Sequence, residues 1–315
     1  MASGVPRPHT RLDGLTLLML LLPPLFWAGN FIVGRAMRDA VPPIALSFDR
    51  WVIALICLLP FAWQALRREW RHYWPYRWPI LGVSVTGVCA FNVLVYLGLH
   101  STSAANGMLL NSFIPLLVAG LGALLYRQRL GWAQGLGILI SFAGVLTIVS
   151  RGQWAVLAGL QVAHGDLLVF LATVCWALYT LWLRLIPPQL DRLGLMLVQI
   201  VLALILLLPL LLWERHTGAV PHWNREALLA IGYIGIFPSV LAFLLYSGGV
   251  ARVGAARASL FIHLIPVFGA LLSVLLLDES LHLYQLAGMT AIFAGVACAN
   301  LSRPMPAPHP TKENP

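Results

Sequence analysis

Charge is scarce in this chain. Asp, Glu, Lys and Arg make up only 10 % of its 315 residues, where a soluble domain carries about 25 %. Lysine occurs once, at Lys312. No stretch is long and polar enough to form a separate soluble domain. No Walker or Rossmann glycine spacing is present, and the glycine-rich stretch from Gly131 to Gly144 lies inside an apolar run, where it reads as close helix packing. ATP-driven work by this chain alone is therefore disfavoured. The four cysteines, Cys57, Cys89, Cys175 and Cys298, each fall in an apolar run without metal-ligand spacing. They read as buried small hydrophobes. No zinc site, disulfide framework or cofactor is expected.

What the chain does have is apolar surface: 60 % of its residues are hydrophobic. A membrane-spanning helix needs about 20 such residues. Ten apolar runs occur, at roughly 14–36, 43–66, 79–100, 102–126, 131–150, 166–187, 191–213, 225–248, 254–277 and 281–301. Backbone polar groups in hydrocarbon must pair internally, so these runs are expected to be helices. The first run is longer than the core of a signal peptide, and reads as a retained helix.

The net charge of +9 does not point to nucleic acid, because the basic residues sit in short gaps between apolar runs. Placed on alternating sides, fourteen cations fall on one side: Arg7, Arg11, Arg67, Arg68, Arg71, Arg77, Arg127, Arg129, Arg184, Arg192, Arg252, Arg257, Arg303 and Lys312. Five fall on the other: Arg35, Arg38, Arg151, Arg215 and Arg225. Arg50 alone is left inside a span. The positive-inside rule then places both termini in the cytoplasm.

The two halves align on each other at an offset of about 150. Trp27-Ala28 matches Trp176-Ala177, Tyr96 matches Tyr246, Pro115 matches Pro266, and Phe142-Ala143-Gly144-Val145 matches Phe293-Ala294-Gly295-Val296. Each half would hold five helices, an odd number, so the second copy lies upside down. Arg127 and Arg129 in one loop are replaced by Asp278 and Glu279 in its equivalent, as inversion would require. The expected architecture is an all-α integral membrane protein of ten transmembrane helices in two inverted five-helix repeats, 1–151 and 152–315, ending in a short disordered tail. Inverted repeats are a transporter architecture with the substrate near the midplane.

These residues resemble the EamA family of the drug/metabolite transporter superfamily. The resemblance is carried by Trp27-Ala28-Gly29-Asn30-Phe31, Asp49-Arg50-Trp51, Thr102-Ser103-Ala104-Ala105, Pro115 and Phe142-Ala143-Gly144 in the first half. Gly254-Ala255-Ala256, Pro266, Asp278-Glu279-Ser280-Leu281 and Phe293-Ala294-Gly295 carry it in the second. The chain departs from the family at Gln128, where a Glu is usual. The resemblance implies a multi-pass exporter of amino acids or related metabolites in the cytoplasmic membrane. The YddG-like aromatic amino-acid exporters are one branch these residues suit. Expected partners are a small-molecule substrate and the lipid bilayer, with no nucleic acid, and a monomer is favoured over an obligate oligomer.

Arg50 is the most informative candidate, because a charge inside the hydrocarbon is costly and faces a cavity or a partner. Two readings stand: a counter-charge for a substrate carboxylate, or a structural arginine bonded to carbonyls or snorkelling outward. Asp49 is its neighbour, but adjacent helix residues do not share a face. Pro115 and Pro266 sit mid-span, where proline frees the carbonyl four residues earlier. Asn111, Ser112 and His263 lie in the same turns, as a midplane site or as packing kinks. Trp27, Asn30, Asn92, Tyr96, Trp176, Tyr179 and Tyr246 place aromatic and amide groups in helices 1, 3, 6 and 8, either lining a path for an aromatic or amphipathic solute or packing the core. Trp74, Tyr76 and Trp78 read as interfacial belt. The competing readings are a carrier for another metabolite class or for drugs, and an intramembrane enzyme; the enzyme would need a nucleophile paired with a base, or a metal cluster, and His263 has no evident partner in sequence.

Overall fold

The computed structural model describes residues 13–128, 130–153, 155–156, 163–277 and 282–301. Arg7, Arg11, Arg129, Asp278, Glu279, Arg303, Lys312 and the C-terminal tail lie outside the described residues. Every regular element among the described residues is helical. Eight segments are long and apolar enough to cross a membrane, and one further apolar helix, Leu283–Ala299, is shorter.

In chain order the helices are α1 (Gly14–Ala36), α2 (Pro43–Tyr73), α3 (Arg77–Val83), α4 (Phe91–Leu99), α5 (Ala104–Asn111), α6 (Ile114–Tyr126) and α7 (Trp132–Val149). There follow α8 (His164–Trp182), α9 (Arg192–His216), α10 (Arg225–Ile236), α11 (Ala242–Val253), α12 (Ala255–Leu260), α13 (Leu264–Leu277) and α14 (Leu283–Leu301). Their starts follow local chemistry. The side chains of Asp13, Ser103, Asp191 and Asn224 accept from first-turn amides of α1, α5, α9 and α10, satisfying N–H groups that have no partner within the helix. Pro43 opens α2, where its missing N–H costs nothing.

Helix runs into two of the expected loops. The stretch 67–78 continues α2 to Tyr73 and passes through a 3₁₀ turn, Trp74–Tyr76, into α3. Arg67, Arg68, Glu69 and Arg71 are good helix formers, and the first breaker is Pro75. The run from Pro43 to Leu99 nevertheless doubles back there. Trp51 Nε1 donates to the Val88 carbonyl at 2.9 Å, across 37 residues, which a straight helix would hold about 55 Å apart. Likewise α9 extends past 213 to His216, and this brings Glu214 inside the fold.

Four interruptions occur mid-helix. Segments Ser84–Ala90 and Phe237–Leu241 are π-helical, joining α3 to α4 and α10 to α11. Ser112 and Phe113 break α5 from α6 just before Pro115, and a 3₁₀ turn, Phe261–His263, breaks α12 from α13 just before Pro266. Such widened or tightened turns mark functional positions in helices. All four surround the molecular centre. There α1 packs on α11 and α13, α8 packs on α4 and α6, and α2 packs on α9 and α10. α7 and α14 form a separate close pair. A Cβ added at Gly137 would meet the Gly295 carbonyl at 2.4 Å, and one at Gly144 would meet the Gly288 carbonyl at 2.6 Å. Only glycine permits that approach. The outer face carries exposed apolar side chains such as Ile205, Leu212 and Leu275, as a lipid-facing surface does.

Candidate functional site

The centre is organised by Arg50, which is 1 % exposed. Its Nη1 donates to Asn92 Oδ1 and to the Tyr96 hydroxyl, both at 2.6 Å, and more weakly to Asn30 Oδ1 at 3.4 Å. Its Nε donates to Ser239 Oγ at 2.8 Å. The Tyr96 hydroxyl in turn donates to Asn30 Oδ1 at 2.7 Å. The guanidinium also lies 5.1 Å from the Trp51 ring and 5.6 Å from that of Tyr96.

The π-helical turns explain how these partners are aimed. Asn92 Nδ2 donates to the carbonyls of Gly87 and Val88 in the first π segment, so its oxygen must face Arg50. Ser239, inside the second, donates to the Ile234 carbonyl and accepts from Arg50. Trp51 and Trp27 each send an indole N–H to a π-segment carbonyl, of Val88 and Pro238 respectively.

Every one of these acceptors is neutral. The two ion pairs among the described residues, Arg38–Asp39 and Arg252–Asp13, lie elsewhere. Asp49 is half-buried and takes no part in the cluster. The positive charge of Arg50 is thus solvated by dipoles but not neutralised by a carboxylate. Burying an ion costs several kcal/mol, which hydrogen bonds to a charged group, about 1.5–3 kcal/mol each, offset.

Beside this cluster is an enclosed cavity lined by Trp27, Asn30, Phe31, Phe91, Asn92, Asn111, Trp176, Phe243 and Ile262. Its volume is about 10 Å³, the room of roughly one water. Trp176 meets Phe91 at 4.6 Å, Trp27 at 4.8 Å and Phe243 at 5.2 Å between ring centroids. Two polar atoms in this wall are buried without a partner: Asn111 Oδ1, an acceptor, and Trp176 Nε1, a donor. The Tyr246 hydroxyl neighbours that indole but completes no well-formed bond with it; it pairs with Thr180 Oγ1 at 3.1 Å. Unpaired buried polar groups cost about 1–3 kcal/mol each.

The cavity is shut at both ends of α1. At the end carrying Arg35, that side chain donates to the carbonyls of Leu99 and His100, Thr102 Oγ1 donates to Asp166 Oδ1, and the backbones of Gly98 and Gly165 touch. At the other end, Arg252 Nη1 donates to Thr16 Oγ1 at 3.2 Å and pairs with Asp13 at 3.4 Å. Thr102 and Arg252 occupy equivalent places in the two halves, on the match of Tyr96 with Tyr246. In the first closure Thr102 and Asp166 are buried while the Arg35 contacts are partly exposed; the second is half-open to solvent.

The structure gathers Trp27, Asn30, Asn92, Asn111 and Trp176 around the cavity, with Arg50 and Tyr96 behind them. Tyr179 and Tyr246 pack on Trp176, and Tyr246 also on Trp27. Ser112 and His263 form a separate knot: His263 Nε2 faces the Ser112 carbonyl at 2.9 Å and Nδ1 faces Ser141 Oγ at 2.6 Å. Nε2 therefore carries a proton. Ser141 and His263 are both wholly buried, so this serine–histidine pair offers no accessible nucleophile. Pro115 and Pro266 follow this knot in their respective helices.

Sequence reasoning missed Ser239, Phe91 and Phe243. Ser239 had one visible signal, its place beside mid-span Pro238. It also missed Glu214, which is 6 % exposed and accepts from the backbone amides of Ile44 at 2.9 Å and Ala45 at 2.7 Å, capping α2 from another helix.

A family model described as the EamA-like transporter family matches residues 14–150 and again residues 163–301. YyaM of Bacillus subtilis, described as an uncharacterized transporter, is 29 % identical over 69 % of this chain and 71 % of its own length. YetK of the same organism, described likewise, is 25 % identical over 90 % of this chain and 86 % of its own. A protein of Chlamydia muridarum described as an S-adenosylmethionine/S-adenosylhomocysteine transporter is 23 % identical over 85 % of this chain and 86 % of its own. A solved crystal structure with 20 % sequence identity shares the fold at a TM-score of 0.70, over 90 % of this chain and 96 % of that one.

Proposed function

We propose, from the premise that the chain belongs to the EamA-like transporter family, that it exports amino acids or closely related metabolites across the cytoplasmic membrane by alternating access. Membership makes it a multi-pass membrane transporter and not an enzyme. The substrate class is our reading, and the observation that carries it is the buried, carboxylate-free Arg50 beside an aromatic cavity with one unpaired donor and one unpaired acceptor. A carboxylate suits the field of Arg50 and the Trp176 N–H. An amino group suits Asn111 Oδ1. An apolar or aromatic side chain suits the ring of Trp27, Phe91, Trp176 and Phe243. The Chlamydia muridarum relative supports this class, since its named substrates join an amino-acid head to an aromatic base.

The architecture that fits is ten spans in two inverted halves, 1–151 and 152–315. The count follows if the run 43–99 is taken as two spans, because it doubles back, and α14 as another. Inversion is supported by α7 and α14, which are repeat equivalents. Gly137 faces Gly295 while Gly144 faces Gly288, so the two helices run antiparallel about a two-fold relation. The exchanged packing, α1 on α11 and α13 against α8 on α4 and α6, fits the same two-fold. Both termini would face the cytoplasm, by the fourteen-to-five bias of the cations. A single chain supplies the whole cavity, which favours a monomeric transport unit. With about 10 Å³ inside, this is a closed conformation that must part to admit a solute.

Counterflow tests the substrate class. Proteoliposomes preloaded with unlabelled Thr, Met, Phe or Trp are expected to accumulate the same labelled amino acid faster than empty ones. Absence of stimulation by every amino acid tried would overturn it.

A further inference from the structure

A second recess, far larger than the central cavity, opens on the side of the fold between the end of α2, the start of α3 and α9. It encloses about 410 Å³, and Leu66, Trp70, Tyr73, Ile80, Val198 and Leu202 form most of its wall. It shares no lining residue with the central cavity, so it is not an extension of the substrate path.

Its rim is basic. Arg67, Arg68, Arg71, His72 and Arg77 are all exposed. The Arg77 guanidinium sits 5.4 Å from the Trp74 ring and 5.8 Å from that of Trp78, and that of Arg71 sits 5.5 Å from Trp70. Arg77 also donates to the Trp74 carbonyl at 3.2 Å, which holds it at the mouth. The only acid in the stretch, Glu69, accepts from the Asp191 amide at 3.2 Å. Among the described residues no carboxylate forms an ion pair with these arginines.

Depth fixes the occupant. α2 has 31 residues, about 46 Å of helix, against a hydrocarbon core of about 30 Å. Arg67 lies 24 residues, about 36 Å, beyond Pro43, so the basic end reaches the headgroup layer. Trp70, Trp74 and Trp78 are 54 %, 65 % and 70 % exposed, as expected of aromatics at that level. An apolar groove that continues into hydrocarbon beneath a cationic rim matches a molecule with an acyl chain and an anionic head. Basic pockets between membrane helices bind such heads.

We propose that this groove is a binding site for an anionic phospholipid, its acyl chain in the groove and its phosphate on Arg71 and Arg77. The proposal rests only on the chain lying in a membrane, not on the substrate reading above.

The test is a lipid titration of the purified full-length protein in detergent, read by native mass spectrometry. Phosphatidylglycerol and phosphatidylcholine with identical acyl chains are compared on the wild type, on Arg71→Gln/Arg77→Gln and on Arg71→Lys/Arg77→Lys. Each arginine near the surface contributes about 1 kcal/mol, about fivefold. The glutamine variant should therefore bind phosphatidylglycerol about 25-fold more weakly, with phosphatidylcholine unchanged, and the lysine variant should keep most of the preference. Equal phosphatidylglycerol binding by wild type and glutamine variant would overturn the proposal. So would no preference over phosphatidylcholine, or displacement of the lipid by inorganic phosphate at the same concentration.

Discussion

Gly98→Ala should open one end of the transporter while leaving the rest of the fold in place. In the closed structure a Cβ on Gly98 would lie 2.6 Å from Val169 Cγ2 and 2.7 Å from the Gly165 carbonyl oxygen. Carbon–oxygen contacts settle near 3.3–3.6 Å, so α8 would have to retreat by about 0.6–0.9 Å. The carbonyl belongs to backbone, and the hydrogen bond of Thr102 with Asp166 one turn away resists that shift. Overpacking of this kind costs about 1–3 kcal/mol. The cost falls only on conformations in which this end is shut. The ratio of open to closed states should therefore rise by about 5- to 150-fold. Hydrogen exchange reads it: amides around 98–102 and 164–169 should exchange correspondingly faster, with the α7–α14 pair unchanged. Gly120→Ala is the control, because a Cβ there meets nothing within 4 Å. Wild-type exchange at 164–169 in Gly98→Ala would refute the reasoning, as would equal acceleration everywhere.

Two other substitutions probe contacts made across helices. Glu214→Ala strands the Ile44 and Ala45 amides in a buried place and should lower stability by about 3 kcal/mol, visible as a reduced thermal midpoint in detergent, with Glu214→Gln in between. His263→Leu removes both the Ser112 and Ser141 contacts and should cost about 1–3 kcal/mol by the same measurement. An unchanged midpoint in either case would mean that the contact contributes nothing.

Much of this fold was readable because its strongest signal is compositional. Hydrocarbon demands helices, so the apolar runs located the segments to within a few residues, and α1 coincides with its expected bounds. The basic stretch 67–78 was not readable in the same way. Polarity there signals departure from hydrocarbon, whereas the backbone obeys propensity and stays helical until Pro75. Glu214 was missed for the same reason: it lies one residue past an apolar run, but its partner is the amino end of a helix 170 residues away. At the centre, Arg50, Asn30, Asn92, Asn111 and Trp176 stood out because polar and aromatic groups in hydrocarbon need partners. Which partners they take was not legible. That depends on the π-helical turns at Ser84–Ala90 and Phe237–Leu241, whose extra residue rotates Asn92 and Ser239 toward Arg50. Phe91 and Phe243 are ordinary apolar residues of an apolar run, distinguished only by where the turn points them.

The uncompensated charge of Arg50 is the centre of the functional account, and one measurement tests it directly. Across about 6 Å at an effective dielectric of about 20, a carboxylate gains about 3 kcal/mol from that charge, about 100-fold in affinity. Competition in counterflow between the best amino-acid substrate and its carboxamide measures this difference. Wild-type protein should prefer the acid by about that factor, Arg50→Lys should retain part of the preference, and Arg50→Gln should reduce it nearly to one. A folded Arg50→Gln protein that still distinguishes acid from amide as the wild type does would contradict the account.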